Sequence, residues 1–386
     1  MPLRKTAWLE AAWLFALSRT ILLFLTVITV VRIPLTGQGG PRNCVLDLAS
    51  CLQAWDHYDV FAYTGIAQYG YVHVHDTVFF PLWPLLIRGL GILFGATTLS
   101  YYFSSLVLAN LCFYLALVVC FYLLSKEFDE TVARKACFYL TFFPYALFFF
   151  TGYSESLFVL LCLATFLCLQ SGRWWLAGAC GFLAALTRSQ GVLLVIPFAV
   201  VLWQHYRVYR EHISWRQVAR AALPLLLIPF GVVVFMGYLA ITKGDPLAFN
   251  TQEAVFWHRY LTFPLVSFIT TFQALLRPEA QGLHLLNGLD LLFVLLALVI
   301  LALGWKRLPL HYGLFALALL LFCLSYPQGT IEPLTAGPRY VLVIFPLFVV
   351  LGMWGKQPRL DSLITVCSLT LFAVNALLFI NHYWVA

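Results

Sequence analysis

Charge is scarce in this chain. Only 10% of its 386 residues are Asp, Glu, Lys or Arg, against roughly a quarter in an ordinary soluble domain. With 62% hydrophobic residues and a mean hydropathy of +0.89, that scarcity excludes a water-soluble fold. Also missing are a repeat of fixed period and any low-complexity or collagen-like tract, which excludes arrays and disorder. The ten cysteines include no CxxC and no Cys/His group at zinc spacing, which argues against a thiolate metal site. Most of them lie in apolar runs and read as small hydrophobes. Cys44 and Cys51 instead share a polar loop, where a disulfide and two free thiols both fit. No contiguous basic face interleaves with exposed aromatics, so nucleic acid is not an expected partner.

Long apolar runs are what the sequence does have, and 17% of it is aromatic, as befits a protein that fills interhelical gaps and anchors at membrane interfaces. Cut to the roughly 17 to 25 residues that cross a bilayer, the chain yields candidate spans at 7–31, 103–124, 136–151, 155–171, 174–187, 190–203, 221–241, 289–304, 310–326, 339–354 and 360–380. The expected fold is therefore all-α, a polytopic integral membrane protein of about eleven transmembrane helices forming a single domain over 1–386. Spans 174–187 and 190–203 are short, and one broken helix is the alternative there. The first run is too long for a cleavable signal, contains Arg19 and lacks a small-x-small end.

The Lys and Arg residues between runs set orientation. With the N terminus inside, 14 of the 23 fall on the inner side, from Arg4 and Lys5 through the Arg207, Arg210, Arg216 and Arg220 cluster to Lys356 and Arg359. Of the 16 acids, 10 lie at or near the outer ends. That bias points to function on the outer side, where the long loops 32–102 and 242–288 are expected to form the active-site face. Within the first loop, FFPLWPLLIRGLGILFG reads as a juxtamembrane helix.

Candidate chemistry concentrates in these outer segments. Trp55-Asp56 precedes Asp59 and Tyr63 in an aromatic stretch. Asp56 reads equally as a helix cap, with Trp55 as an interface anchor, or as a shielded carboxylate able to accept a hydroxyl proton. His73, His75 and Asp76 fit a polar rim better than a metal site. Glu155 and Arg188 stand at the ends of apolar spans, either functional or paired with each other. Arg339-Tyr340 opens a late span, where a guanidinium fork suits phosphate and the N-terminal end of a helix adds its dipole to an anion site. Arg88 reads as a snorkelling side chain, and Asp245 as the carboxylate of a Gly-Asp-Pro turn.

The ordered motifs WDHYDVFAYTGIAQYGY, FFPLWPLL, FFFTGYSESLF, RWWLAG with ALTRSQGVLL, GDPLAF with Gln252 and Trp257, and GPRYVLVIFPLF resemble the PIG-V family, the GPI mannosyltransferase 2 group of GT-C glycosyltransferases. They cover most of residues 50–350. The resemblance implies an inverting membrane mannosyltransferase that takes mannose from a polyprenyl-phosphate donor and passes it to a glycolipid or glycan on the outer or lumenal face. It implies Asp56 as the catalytic carboxylate, with Trp55, Asp59, His75, Glu155, Arg188, Arg339 and Tyr340 as the expected substrate-binding set, and no metal or other cofactor. The chain's length and Gln68 before the Gly-Tyr depart from the eukaryotic pattern, which implies a prokaryotic relative in the cell membrane rather than a GPI-building enzyme of the endoplasmic reticulum. The competing class is a transporter or lipid flippase, which would call for inverted repeats and midplane charges. Neither is found.

Overall fold

The computed structural model describes residues 5–32, 51–52, 54–209, 214–277 and 282–385, and among them the regular structure is helical, with no strand. Arg4, Arg210, Cys44 and the rest of 33–50 lie outside the described residues, and with them the Cys44–Cys51 pairing. Six helical runs among the described residues are long and apolar enough to cross a membrane: Lys5–Val31, Thr98–Glu127, Ser189–Val208, Arg216–Lys243, His284–Arg307 and Pro358–Ile380. Shorter apolar helices accompany them, including Leu82–Leu93 in the first long loop, Glu155–Gln170, Trp174–Thr187 and Leu310–Ser325. Trp174–Thr187 and Val195–Tyr209 are separate helices joined by a 3-10 turn, Ser189–Leu194.

The chain divides into two compact units. The first comprises Met1–Gly70, Pro84–Ser156 and Leu351–Ala386. Its helices begin on local signals. Thr97 Oγ1 accepts from the Ser100 amide at 3.1 Å to start Thr98–Glu127, and Asp129 Oδ1 accepts from the Val132 amide at 2.9 Å to start Glu130–Thr141. Ion pairs tie helix ends together: Arg134 to Glu10 at 2.7 Å, Lys356 to Asp129 at 2.6 Å, and Lys135 to Asp361, whose other oxygen takes the Tyr139 hydroxyl at 2.7 Å.

One expected span of this unit is not a helix. In 136–151 the helix Glu130–Thr141 stops just before Phe143-Pro144, because proline disfavours the helical conformation in the residue before it. Residues 142–154 then run as turns and a 3-10 piece, Ala146–Phe149, almost wholly buried. Irregular backbone survives among membrane helices only where protein satisfies its polar groups. Here three side chains from three helices do so: Asn375 Nδ2 donates to Pro144 O at 3.0 Å, Arg19 Nη2 to Phe149 O at 2.8 Å, and Asn110 Nδ2 to Phe150 O at 3.0 Å. Arg19 also donates through Nε to Asn110 Oδ1 at 2.8 Å and lies 4.5 and 4.7 Å from the Phe15 and Phe113 ring centres. Its charge is thus solvated by carbonyl dipoles and ring faces rather than by a carboxylate.

The second unit comprises Tyr71–Trp83 and Leu157–Val350. Its tightest helix pair is Trp174–Thr187 against Leu227–Lys243, where glycines let the backbones approach. A Cβ on Gly181 would lie 2.6 Å from Ile228 Cγ1, and one on Gly231 would lie 2.6 Å from the Phe182 carbonyl oxygen. Gly231→Ala is therefore expected to destabilise the protein by about 1–3 kcal/mol through overpacking against backbone, read as a lower Tm in detergent; an unchanged Tm would show that the pair has slack. The segment Tyr71–Trp83 docks on the same helix, with Phe80 packed against Phe235, Leu239 and Ala248. The other interrupted span, 339–354, consists of a six-residue helix, Gly337–Leu342, followed by Phe345–Trp354.

Candidate active site

In the first unit, residues 54–58 carry Asp56 between two anchored neighbours. Trp55 is 1% exposed. Its indole N–H donates to Thr26 Oγ1 at 3.0 Å, its carbonyl accepts from Thr151 Oγ1 at 3.2 Å, and its ring packs 4.7 Å from Phe150 and 5.6 Å from Phe379. It belongs to the core, so the interface-anchor reading fails. On the other side the buried His57 ring lies 4.1 Å from Phe379 and 4.4 Å from His382. Tyr58 adopts φ 55°, unusual for a residue with a side chain, and its hydroxyl is tied to the His382 carbonyl at 2.6 Å.

The helix that follows starts at Asp59, with Tyr58 in the capping position and no side-chain cap bond. Asp56 therefore neither caps it nor shares its face with Asp59 and Tyr63. Its Oδ1 is buried and has no hydrogen-bond partner among the described residues. Burial pushes the carboxyl up to about 6, since low dielectric penalises the charged form. A half-buried carboxylate with an unused oxygen, held between two locked rings, is set to accept a proton. Asp59 sits in the first helical turn. Tyr63, on that helix, bonds Ser154 Oγ at 2.9 Å, just before the fully buried Glu155.

In the second unit, Tyr340 is flanked by guanidinium groups. Arg188 and Arg259 each lie 5.9 Å from its ring centre. Arg259 is held by Nη1 to the Tyr340 hydroxyl at 2.9 Å and by Nη2 to Gln328 Oε1 at 2.9 Å, while Arg188 Nε donates to Gln190 Oε1 at 3.1 Å. Arg339 adds a third cation, close enough to Arg259 for their charges to interact. Arg339 follows from the sequence, but its expected help from a helix dipole does not, because Gly337–Leu342 is too short to supply much of one. Arg259 went unweighed in the sequence. Its only signal is a cation inside the aromatic run Phe256-Trp257-His258-Arg259-Tyr260.

The remaining expected residues have structural employment. Asp76 Oδ2 accepts from the His73 amide at 2.9 Å, and the His75 ring stacks 5.1 Å from His73 and 4.7 Å from Phe256. The trio thus builds a capped turn, as a polar rim would. Asp245 takes the Leu247 amide at 2.8 Å and the Thr251 hydroxyl at 3.0 Å, the turn role its sequence suggests. Arg88 donates to the Ala67 carbonyl at 3.1 Å rather than only snorkelling.

Residues 14–249 match the family model described as Mannosyltransferase (PIG-V). GPI alpha-1,6-mannosyltransferase 2 of Mus musculus is 32% identical over 222 residues, 53% of this chain and 44% of that protein. The Rattus norvegicus protein of the same name is 32% identical over 168 residues, 42% and 34% of the two chains. The chain thus aligns with less than half the length of these relatives. Among solved structures, ArnT from Cupriavidus metallidurans bound to undecaprenyl phosphate is similar with TM-score 0.49 and 14% identity, over 98% of this chain and 76% of that one. The oligosaccharyltransferase AglB from Archaeoglobus fulgidus, in complex with an inhibitory peptide and a dolichol-phosphate, is similar with TM-score 0.44 and 11% identity, over 95% and 55%.

Proposed function

The chain belongs to the PIG-V mannosyltransferase family, and from that premise we propose that it transfers mannose from a polyprenyl-phosphate mannose to a hydroxyl of a lipid-linked or glycan acceptor, with inversion, on the outer or lumenal face of the membrane. The observation that carries this is Asp56, whose buried Oδ1 is unengaged. In the reaction the acceptor oxygen attacks the anomeric carbon, the bond from that carbon to the phosphate oxygen breaks, and the phosphate leaves with the electron pair. The acceptor proton passes to Asp56, which its raised affinity for protons favours. Arginines offset the charge left on the phosphate.

Arg339 and Arg188 are assigned to the donor phosphate, with Arg259 ordering Tyr340 beside them. Glu253 lies close enough to Arg259 to offset part of the charge gathered here, and a phosphate would offset more of it. Arg339→Ala is expected to remove a charge-assisted contact of about 1.5–3 kcal/mol, seen as a raised apparent KM for donor. If it lowered acceptor affinity alone, Arg339 would belong to the acceptor.

Transfer of radiolabelled mannose from polyprenyl-phosphate mannose in membranes holding the protein is the direct test. Transport in sealed vesicles without transfer would favour the flippase reading instead. For sidedness, a Cys placed at Arg207 should resist an impermeant thiol reagent in intact cells and react once the membrane is opened. Labelling in intact cells would invert the topology. Lipid analysis of a deletion strain, looking for a glycan short of one mannose, would identify the acceptor.

A further inference from the structure

A cavity of about 360 Å³ in the second unit serves none of this chemistry. It lies where two membrane-crossing runs meet their ends, since Ser189–Val208 finishes there and Arg216–Lys243 begins there. That places it at the level where hydrocarbon gives way to headgroups, whichever side of the membrane it faces. Its walls are Trp174, Trp175, His205 and Tyr206, with Gln217 and Arg220 contributed by the short helix Trp215–Ala222. Trp174 meets His205 edge-on at 5.5 Å. No carboxylate lines it.

Arg220 lines it, and further cations stand next to its lining residues in the chain. Arg173, Arg207, Arg216 and Arg220 are all exposed, and none pairs with a carboxylate among the described residues. Arg207 instead lies 5.0 Å from the Trp203 ring centre. The first unit behaves otherwise, for there Arg134, Lys135 and Lys356 each hold an acid. Arg220 lines the concavity, and it and the neighbouring arginines, holding no carboxylate among the described residues, call for an anion; guanidinium forks match phosphate oxygens. The surface beside them is apolar, with Leu176, Leu223 and Leu226 all more than half exposed. A soluble phosphate has no use for that strip, whereas acyl chains do. Trp and Tyr at this depth complete the pattern of a headgroup-level site.

We propose that this cavity binds the phosphodiester headgroup of an anionic glycerophospholipid, with Arg220 and Arg216 on the phosphate, the indoles against the glycerol and the leucine strip under the acyl chains. The test is native mass spectrometry of the purified full-length protein in detergent, offered phosphatidylglycerol and phosphatidylcholine at equal concentration. Retention of phosphatidylglycerol is expected to exceed that of phosphatidylcholine by about tenfold, the worth of one or two charge-assisted contacts. In R216Q/R220Q the ratio should fall to near one. Both side chains are exposed, so the Tm of the lipid-free protein should stay unchanged. Equal retention by the unaltered protein would overturn the assignment, as would a preference that survives in R216Q/R220Q. Displacement of the bound lipid by millimolar glycerol 3-phosphate would reveal a soluble-phosphate site and equally refute a lipid one.

Discussion

Asp56→Asn should lower mannosyl transfer by at least about a hundredfold, the usual worth of a positioned general base, while folding and donor binding persist. The amide keeps the shape of the side chain and cannot take the acceptor proton. Burial raises the carboxyl above its ordinary value, to about 6. Below that pH Asp56 is protonated and cannot act as a base; above it the carboxylate form prevails. Transfer by the unaltered protein should therefore rise as pH increases through about 6 and level off. In the Asn variant the residual rate should lose this limb. Near-normal turnover in Asp56→Asn, with Asp59→Asn inactive, would move the base to the neighbouring carboxylate.

The second large effect is expected at Arg19→Leu. The substitution leaves Asn110 Oδ1 without the guanidinium that now serves it, and the Phe149 carbonyl with only the Ser156 hydroxyl at 3.3 Å, in a dry interior. An orphaned buried acceptor costs about 1–3 kcal/mol and a lost hydrogen bond to a charged group about 1.5–3 kcal/mol, so a loss of about 2–5 kcal/mol is expected, seen as a markedly lower Tm in detergent. Arg19→Lys should recover part of it, because an ammonium reaches one acceptor but lacks the fork to hold both. The damage should also reach the site, since Phe150 packs on Trp55 and Thr151 bonds the Trp55 carbonyl. Full stability in Arg19→Leu would mean that residues 142–154 hold their course unaided.

These cases show what the sequence made legible. Apolar runs announce helices, because hydropathy and length are properties of one segment. The WD pair points to Asp56, and the structure leaves its Oδ1 without a hydrogen bond among the described residues. Hidden was everything that depends on partners distant in the chain. FFPYALFFFTG reads as apolar throughout, with Pro144 the sole hint of a break, and the distant donors to its carbonyls come from positions 19, 110 and 375. Trp55 resembles an interface tryptophan until its indole finds Thr26. Arg259 is one cation among many until folding lays it against Tyr340 and Gln328. The dipole expected at Arg339 failed because helix length, set by tertiary context, is not written beside the proline that starts the helix.

The Arg19 contacts also impose an order on biogenesis. Arginine near the middle of an inserting helix is disfavoured by about 2.5–3.5 kcal/mol on translocon scales, and the groups that answer it lie 91 and 130 residues further along the chain. At a synthesis rate of roughly 5–20 residues per second, the first helix waits many seconds before either partner has left the ribosome. Until then its guanidinium must draw on water, lipid phosphate or the insertion machinery itself. The N-terminal segment is therefore a provisional guest in the bilayer, and nascent chains cut short before Phe149 should be the ones that quality-control proteases find.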